Sequence, residues 1–137
     1  MNSREVVRLA AQIATDAHRG QFRNDGVTPY ISHPEAVAKR VEGDDIAEAI
    51  AWLHDVLEDT TIKAQDLASF GLPAEVVARV ELLTKTDGLE YEHYLERIKS
   101  DPVAKRVKIA DMLANLSDSP GERQIVKYAK GLLILLA

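Results

Sequence analysis

Apolar residues recur along the chain at helical spacing almost everywhere, and no alternating run is long enough to make a convincing strand. A first helix is predicted from about Ser3 to Arg19, with Asn2 and Glu5 spaced as a capping box and an apolar face of Val6, Leu9, Ala10, Ile13, Ala14 and Ala17. A polar loop, Gly20 to Ser32, leads to a short second helix over Glu35 to Val41, opened by Pro34. Asp44 or Asp45 caps a third helix running to about Leu57, and Thr61 caps a fourth that stops at Phe70-Gly71. Pro73 opens a fifth, Glu90 to Lys99 is a sixth, Asp101-Pro102 starts a seventh reaching Leu116, and Ser119-Pro120-Gly121-Glu122 reads as a capping box for the last. The expectation is an all-α bundle of seven to eight helices forming one domain over residues 1–137.

The third helix departs from the amphipathic pattern. Ile46-Ala47-Glu48-Ala49-Ile50-Ala51-Trp52-Leu53 is almost wholly apolar, as expected of a buried helix, and its end delivers His54, Asp55, Glu58 and Asp59 together. Spacings of three and four place neighbours of this cluster on a shared face. A frayed, solvated helix end is the plain reading. Three acids at a C-terminus nevertheless oppose the helix dipole, and a divalent cation would compensate them. The seventh helix carries a second polar stripe, Lys108, Asp111 and Asn115, within otherwise apolar surroundings, where a surface Lys108–Asp111 ion pair is the plain alternative. His33 precedes Pro34 at a helix start. His18 and His93 read as structural residues.

His33, His54, Asp55 and Asp111 together offer two imidazoles and two carboxylates. That mixed set suits Mn²⁺, Fe²⁺, Co²⁺, Zn²⁺ or Mg²⁺ with positions left for water and substrate, unlike a closed structural zinc site. A divalent ion so held acidifies water near neutral pH, and Glu58 and Asp59 would orient that water or move its proton. Hydrolysis of a phosphate ester or anhydride fits. The absence of cysteine excludes disulfides, thiolate zinc and iron–sulfur clusters, and no phosphate-binding glycine loop, dinucleotide fingerprint or nucleophile elbow is present. A formal net charge of -5 without a basic stripe argues against nucleic acid as partner. The start of the chain lacks an apolar leader and no apolar run spans a bilayer, so a cytoplasmic protein away from membranes is expected. Leu132 to Leu136 is expected to pack in the core, with a homodimer interface as the alternative.

Four segments carry a resemblance: Ala17-His18-Arg19-Gly20-Gln21-Phe22-Arg23, Pro29-Tyr30-Ile31-Ser32-His33-Pro34, Ala51 through Thr60, and Val107 through Leu116. In this order and spacing they resemble HD-domain metal-dependent phosphohydrolases, and among them the RelA/SpoT-type hydrolase domain and its small stand-alone relatives. The resemblance implies an Mn²⁺ ion on His33, His54, Asp55 and Asp111, with Glu58 and Asp59 supporting the attacking water. It implies further that Lys108 and Asn115 face the substrate with Asn24 among the substrate-binding residues, that Arg23 contacts phosphate or braces the site, and that the reaction removes pyrophosphate from the 3′ position of ppGpp. The departures fall around that set. Asn24 stands where such hydrolases usually carry Lys, Met112 and Ala114 replace a common Arg and His, and Asp118 replaces a Thr that contacts the nucleotide. Another nucleotide (NADPH, a nucleoside monophosphate or a deoxynucleotide) is the alternative substrate, and a non-catalytic nucleotide-binding module the alternative role.

Overall fold

The computed structural model describes all 137 residues and is entirely helical apart from one isolated bridge. Nine helices follow in order: α1 (Ser3–Ala17), α2 (Ser32–Arg40), α3 (Asp45–Leu53), α4 (Val56–Asp59), α5 (Ala64–Ser69), α6 (Ala74–Leu83), α7 (Tyr91–Lys99), α8 (Pro102–Leu116) and α9 (Glu122–Leu136). α3 lies at the centre, packed against α1, α2, α6 and α8, while α9 closes over α7 and α8. Its sequence explains that position, for Ala47, Ala49, Ile50, Ala51 and Leu53 are all fully buried, and small alanines let neighbouring helices approach. Its two acids, Asp45 and the buried Glu48, are both held by Arg4 of α1, at 2.9 and 3.2 Å.

The ends of the helices follow local chemistry. Asn2 accepts from the Glu5 backbone N–H at 2.8 Å, Asp44 from that of Ala47 at 3.1 Å, and Asp101 from those of Val103 and Ala104 at 3.0 Å. The last helix is an exception. Its N-cap is Gly121, without a side-chain cap, and Ser119 instead takes a positive φ of 46° in the preceding turn, so the expected Ser119–Glu122 capping box does not form. α5, expected as the fourth helix, likewise starts after Lys63 rather than Thr61, with the Asp66 carboxylate accepting from the Lys63 N–H at 2.9 Å.

The extra helix arises at the most informative place. The expected third helix is not continuous to Leu57 but breaks at His54 and Asp55. The His54 ring Nδ1 donates to the Ala51 carbonyl at 2.6 Å, competing for an acceptor that a continuous helix would give to the Asp55 N–H. Glu58 and Asp59 therefore sit in the first turn of the four-residue α4, not at the C-terminus of a long helix. The dipole argument drawn from the sequence does not apply to them.

Between α1 and α2 the polar loop folds back on itself. Phe22 and Pro29 form the isolated antiparallel bridge, closed by Arg23 N–H to the Thr28 carbonyl and Tyr30 N–H to the Gln21 carbonyl, both at 2.8 Å. At its tip Asp25 accepts from the Val27 and Thr28 N–H groups, and Gly26 supplies the positive φ of 73° the turn requires. At the other end of the chain Leu135 is fully buried and Leu132 and Ile134 pack on the core, whereas Leu133 and Leu136 face outward. No helix is long and apolar enough to cross a membrane.

Candidate metal centre

The helix break aims His54 inward, where α2 and α8 bring His33 and Asp111 to meet it. All three are buried, and each presents one ligand atom within 4.8 Å of the others. His33 Nε2 lies 2.8 Å from Asp111 Oδ1, and His54 Nε2 lies 3.4 Å from the same oxygen. Asp55 contributes Oδ2 at 3.1 Å from His54 Nε2 and 3.9 Å from His33 Nε2. The four residues read from the sequence as a ligand set thus converge from three separate helical regions.

The protonation of His54 tests whether the group fits a cation. Because Nδ1 donates to a carbonyl, Nε2 points its lone pair, or a second proton, at the two carboxylate oxygens. Buried Nε2 has no partner in hydrogen-bond geometry, despite those oxygens lying so close. A bare lone pair facing two carboxylates is repulsive, so something positive belongs between them. Burial opposes the charged imidazole, but Asp55 and Asp111 outweigh it and hold the His54 pKa well above the ordinary histidine value. Burial likewise favours a neutral Asp55 acid, yet His54 and a donated hydroxyl hold that carboxyl down to about 2. The electrostatics of the site favour positive charge. An Nδ1–H fixed on a backbone carbonyl with Nε2 free for a ligand is the arrangement metal-binding histidines use.

Around this group both oxygens of Asp111 are claimed. Lys108 Nζ donates to Asp111 Oδ2 at 2.9 Å and stands over the Tyr94 ring, so the expected Lys108–Asp111 pair exists but is largely buried rather than superficial. Asn115 donates to Asp111 Oδ1 at 3.2 Å and accepts from Arg23 at 3.0 Å, tying the polar loop to α8. Glu58 accepts from the Lys85 N–H at 2.5 Å, and burial raises its pKa above the ordinary carboxylate range, with Asp55 adding to the effect. Burial and Asp55 raise the Asp59 pKa in the same way. Asn24 is exposed and lines an entirely polar cleft of about 380 Å³ with Arg23, Asp25, Asp118 and Gln124.

Two residues beside the centre were not read as such from the sequence. Tyr30 donates its hydroxyl to Asp55 Oδ2 at 2.5 Å, while the Arg23 guanidinium lies 5.6 Å from its ring centroid. His18, expected to be merely structural at a helix exit, is 2% exposed and packs on the Tyr30 ring at 4.9 Å. Its Nδ1 donates to the Gln21 side-chain oxygen at 2.8 Å, and Gln21 in turn donates to the Asp59 carbonyl. His93, by contrast, is exposed, as expected.

No model of a known protein family matches the chain. A ppGpp 3′-pyrophosphohydrolase of Haemophilus influenzae is 39% identical over 114 residues, covering 77% of this chain and 16% of that protein. Human MESH1, also named a ppGpp 3′-pyrophosphohydrolase, is 38% identical over 124 residues, covering 80% of this chain and 66% of MESH1. The bifunctional (p)ppGpp synthase/hydrolase SpoT of Escherichia coli is 42% identical over 89 residues, 62% of this chain and 12% of SpoT. The chain therefore spans under a fifth of the bacterial relatives' length. A solved structure described as a metazoan SpoT ortholog that hydrolyses ppGpp superposes with a TM-score of 0.77 at 27% identity, covering 96% of this chain and 85% of that one. In sequence and in fold, this all-helical chain is a relative of the ppGpp 3′-pyrophosphohydrolases.

Proposed function

We propose that residues 1–137 act as one domain, a divalent-metal-dependent hydrolase that removes pyrophosphate from the 3′ position of ppGpp, with Mn²⁺ as the ion. The observation that carries this reading is the convergence of buried His33, His54 and Asp111, with Asp55 beside the two imidazoles and the His54 Nε2 left without a hydrogen-bond partner. The names of the relatives support the substrate. Bound there, the ion supplies Lewis-acid chemistry, acidifying water and drawing charge from phosphoryl oxygens. Glu58 and Asp59 are the groups that take and return the proton, since burial leaves both more basic than ordinary carboxylates. Lys108 and Asn115 hold Asp111 in place, and Arg23 meets the substrate's negative charge from the loop.

Purified protein loaded with Mn²⁺ and offered ppGpp, NADPH and nucleoside monophosphates tests the proposal. Release of pyrophosphate from ppGpp, abolished together with metal binding in Asp55→Ala, is expected. No turnover of any phosphoanhydride or phosphomonoester would overturn it. A less highly charged nucleotide is the second reading, and the composition of the cleft favours it: Arg23 is the one cation there, opposed by Asp25 and Asp118.

A further inference from the structure

Beside His33, a cavity of about 300 Å³ opens between α2 and the end of α8. Arg23 and Arg40 line it, with Thr28, Ser32 and Ser117 supplying hydroxyls and Asp118 the only carboxylate. Arg40 Nη2 donates to the Ser117 hydroxyl at 2.9 Å, and no carboxylate lies within ion-pair distance of its guanidinium. Arg23 is shared between the neutral Asn115 amide and a longer 3.4 Å contact to Asp118, whose side chain is 64% exposed. Two incompletely neutralised guanidiniums therefore face one small polar space in a chain whose net charge is -5. The lining is polar apart from Ala36 and Ala114.

We propose that this cavity is a second anion site, built for a phosphate or diphosphate group and separate from the metal centre. Guanidinium forks match phosphoryl oxygens in two-pronged fashion, and serine and threonine hydroxyls complete such sites. The volume sits at the lower end of the roughly 300–1,000 Å³ that whole small-molecule ligands occupy, which suits a phosphoryl group rather than an entire nucleotide. Asp118 is its removable guard. A long contact from an exposed carboxylate is weak and yields to a dianion that reaches both arginines. His33 also lines the cavity, and its Nε2 lies 2.8 Å from Asp111 Oδ1. The ligand is either the second phosphoryl group of a substrate phosphorylated at two positions or inorganic phosphate or pyrophosphate from solution. The first of these rests on the function proposed above. The site itself does not.

Titration of metal-free protein with inorganic phosphate and with pyrophosphate, by calorimetry or phosphorus NMR, tests the site directly. Arg40→Gln is expected to weaken binding about tenfold, the loss of one charge-assisted contact, and Asp118→Asn to strengthen it. Both residues are exposed, so thermal melts should leave the fold intact. A higher KM for ppGpp in Arg40→Gln, with KM for a nucleoside monophosphate unchanged, identifies the substrate's second phosphate as the ligand. Unchanged KM values with weakened phosphate inhibition identify the free anion. Failure of the wild-type protein to bind either anion, or equal binding by wild type and both variants, overturns the proposal. Absence of ppGpp turnover with the titration effects intact refutes the proposed substrate and leaves the anion site standing.

Discussion

Replacing Tyr30 by Phe removes one oxygen and leaves the ring, its packing on His18 and the cation above it in place. What is lost is the 2.5 Å hydrogen bond to Asp55 Oδ2, a neutral hydroxyl donating to a carboxylate in a largely buried setting. Bonds of this kind contribute about 1.5–3 kcal/mol. The metal-free protein loses the bond as well, so affinity for the ion falls only by the part that hydration does not return to Asp55. If the freed carboxylate turns to solvent and must be brought back, the whole bond counts. At about 1.4 kcal/mol per tenfold, Mn²⁺ binding should weaken by roughly 10- to 100-fold, the range typical for partners that orient metal ligands. The effect should grow as pH falls, because the Tyr30 hydroxyl also helps keep the Asp55 pKa near 2, and without it protons compete more strongly with the ion. Calorimetric or EPR titration with Mn²⁺ at two pH values measures both. A Tyr30→Phe protein that binds Mn²⁺ with wild-type affinity at both pH values would refute the reasoning.

Lys108→Met should destabilise the metal-free protein by about 3 kcal/mol, because Asp111 then keeps a buried charge without its partner. Thermal melts should show a loss on the order of 10 °C that Mn²⁺ largely restores, and a loss that the ion does not reduce would count against its proximity to Asp111. For the pH profile, burial raises the Glu58 pKa, so a group that must be ionised to accept a proton loses activity as pH falls through that raised value. The acid limb of kcat should accordingly lie above the ordinary glutamate range and vanish from the residual rate of Glu58→Gln. An unchanged acid limb in that variant would assign it to another group.

The helical class, most caps and the four converging residues were legible in the sequence, and each for a local reason. An apolar helix that ends in His-Asp announces itself, and a lone Asp within an apolar stripe does the same for α8. The break at His54 was not legible. Apolar periodicity continues through Val56 and Leu57, and only the ring's capture of the Ala51 carbonyl shows that the helix has stopped. His18 and Tyr30 were overlooked for a different reason. Their burial depends on the loop folding back across Phe22 and Pro29, a pairing between residues whose own sequence reads as a polar link. The buried character of the Lys108–Asp111 pair likewise depends on Tyr94 arriving from α7, which helix spacing alone does not reveal.

That folded-back loop has a consequence for how such a protein diversifies. Its two ends are clamped to each other by backbone bonds, so residues 24–28 can lengthen, shorten or change charge without a displacement passing into α2 and His33. Closing a slightly longer loop costs little entropy, since each doubling of length adds only about 0.6 kcal/mol. Substitutions at Asn24 can therefore follow selection for a new ligand while the residues beneath keep their positions. Libraries randomised at Asn24 and Val27, with Asp25 and Gly26 kept to shape the turn, should yield folded, metal-competent proteins at high frequency, with their variation concentrated in which molecules they accept.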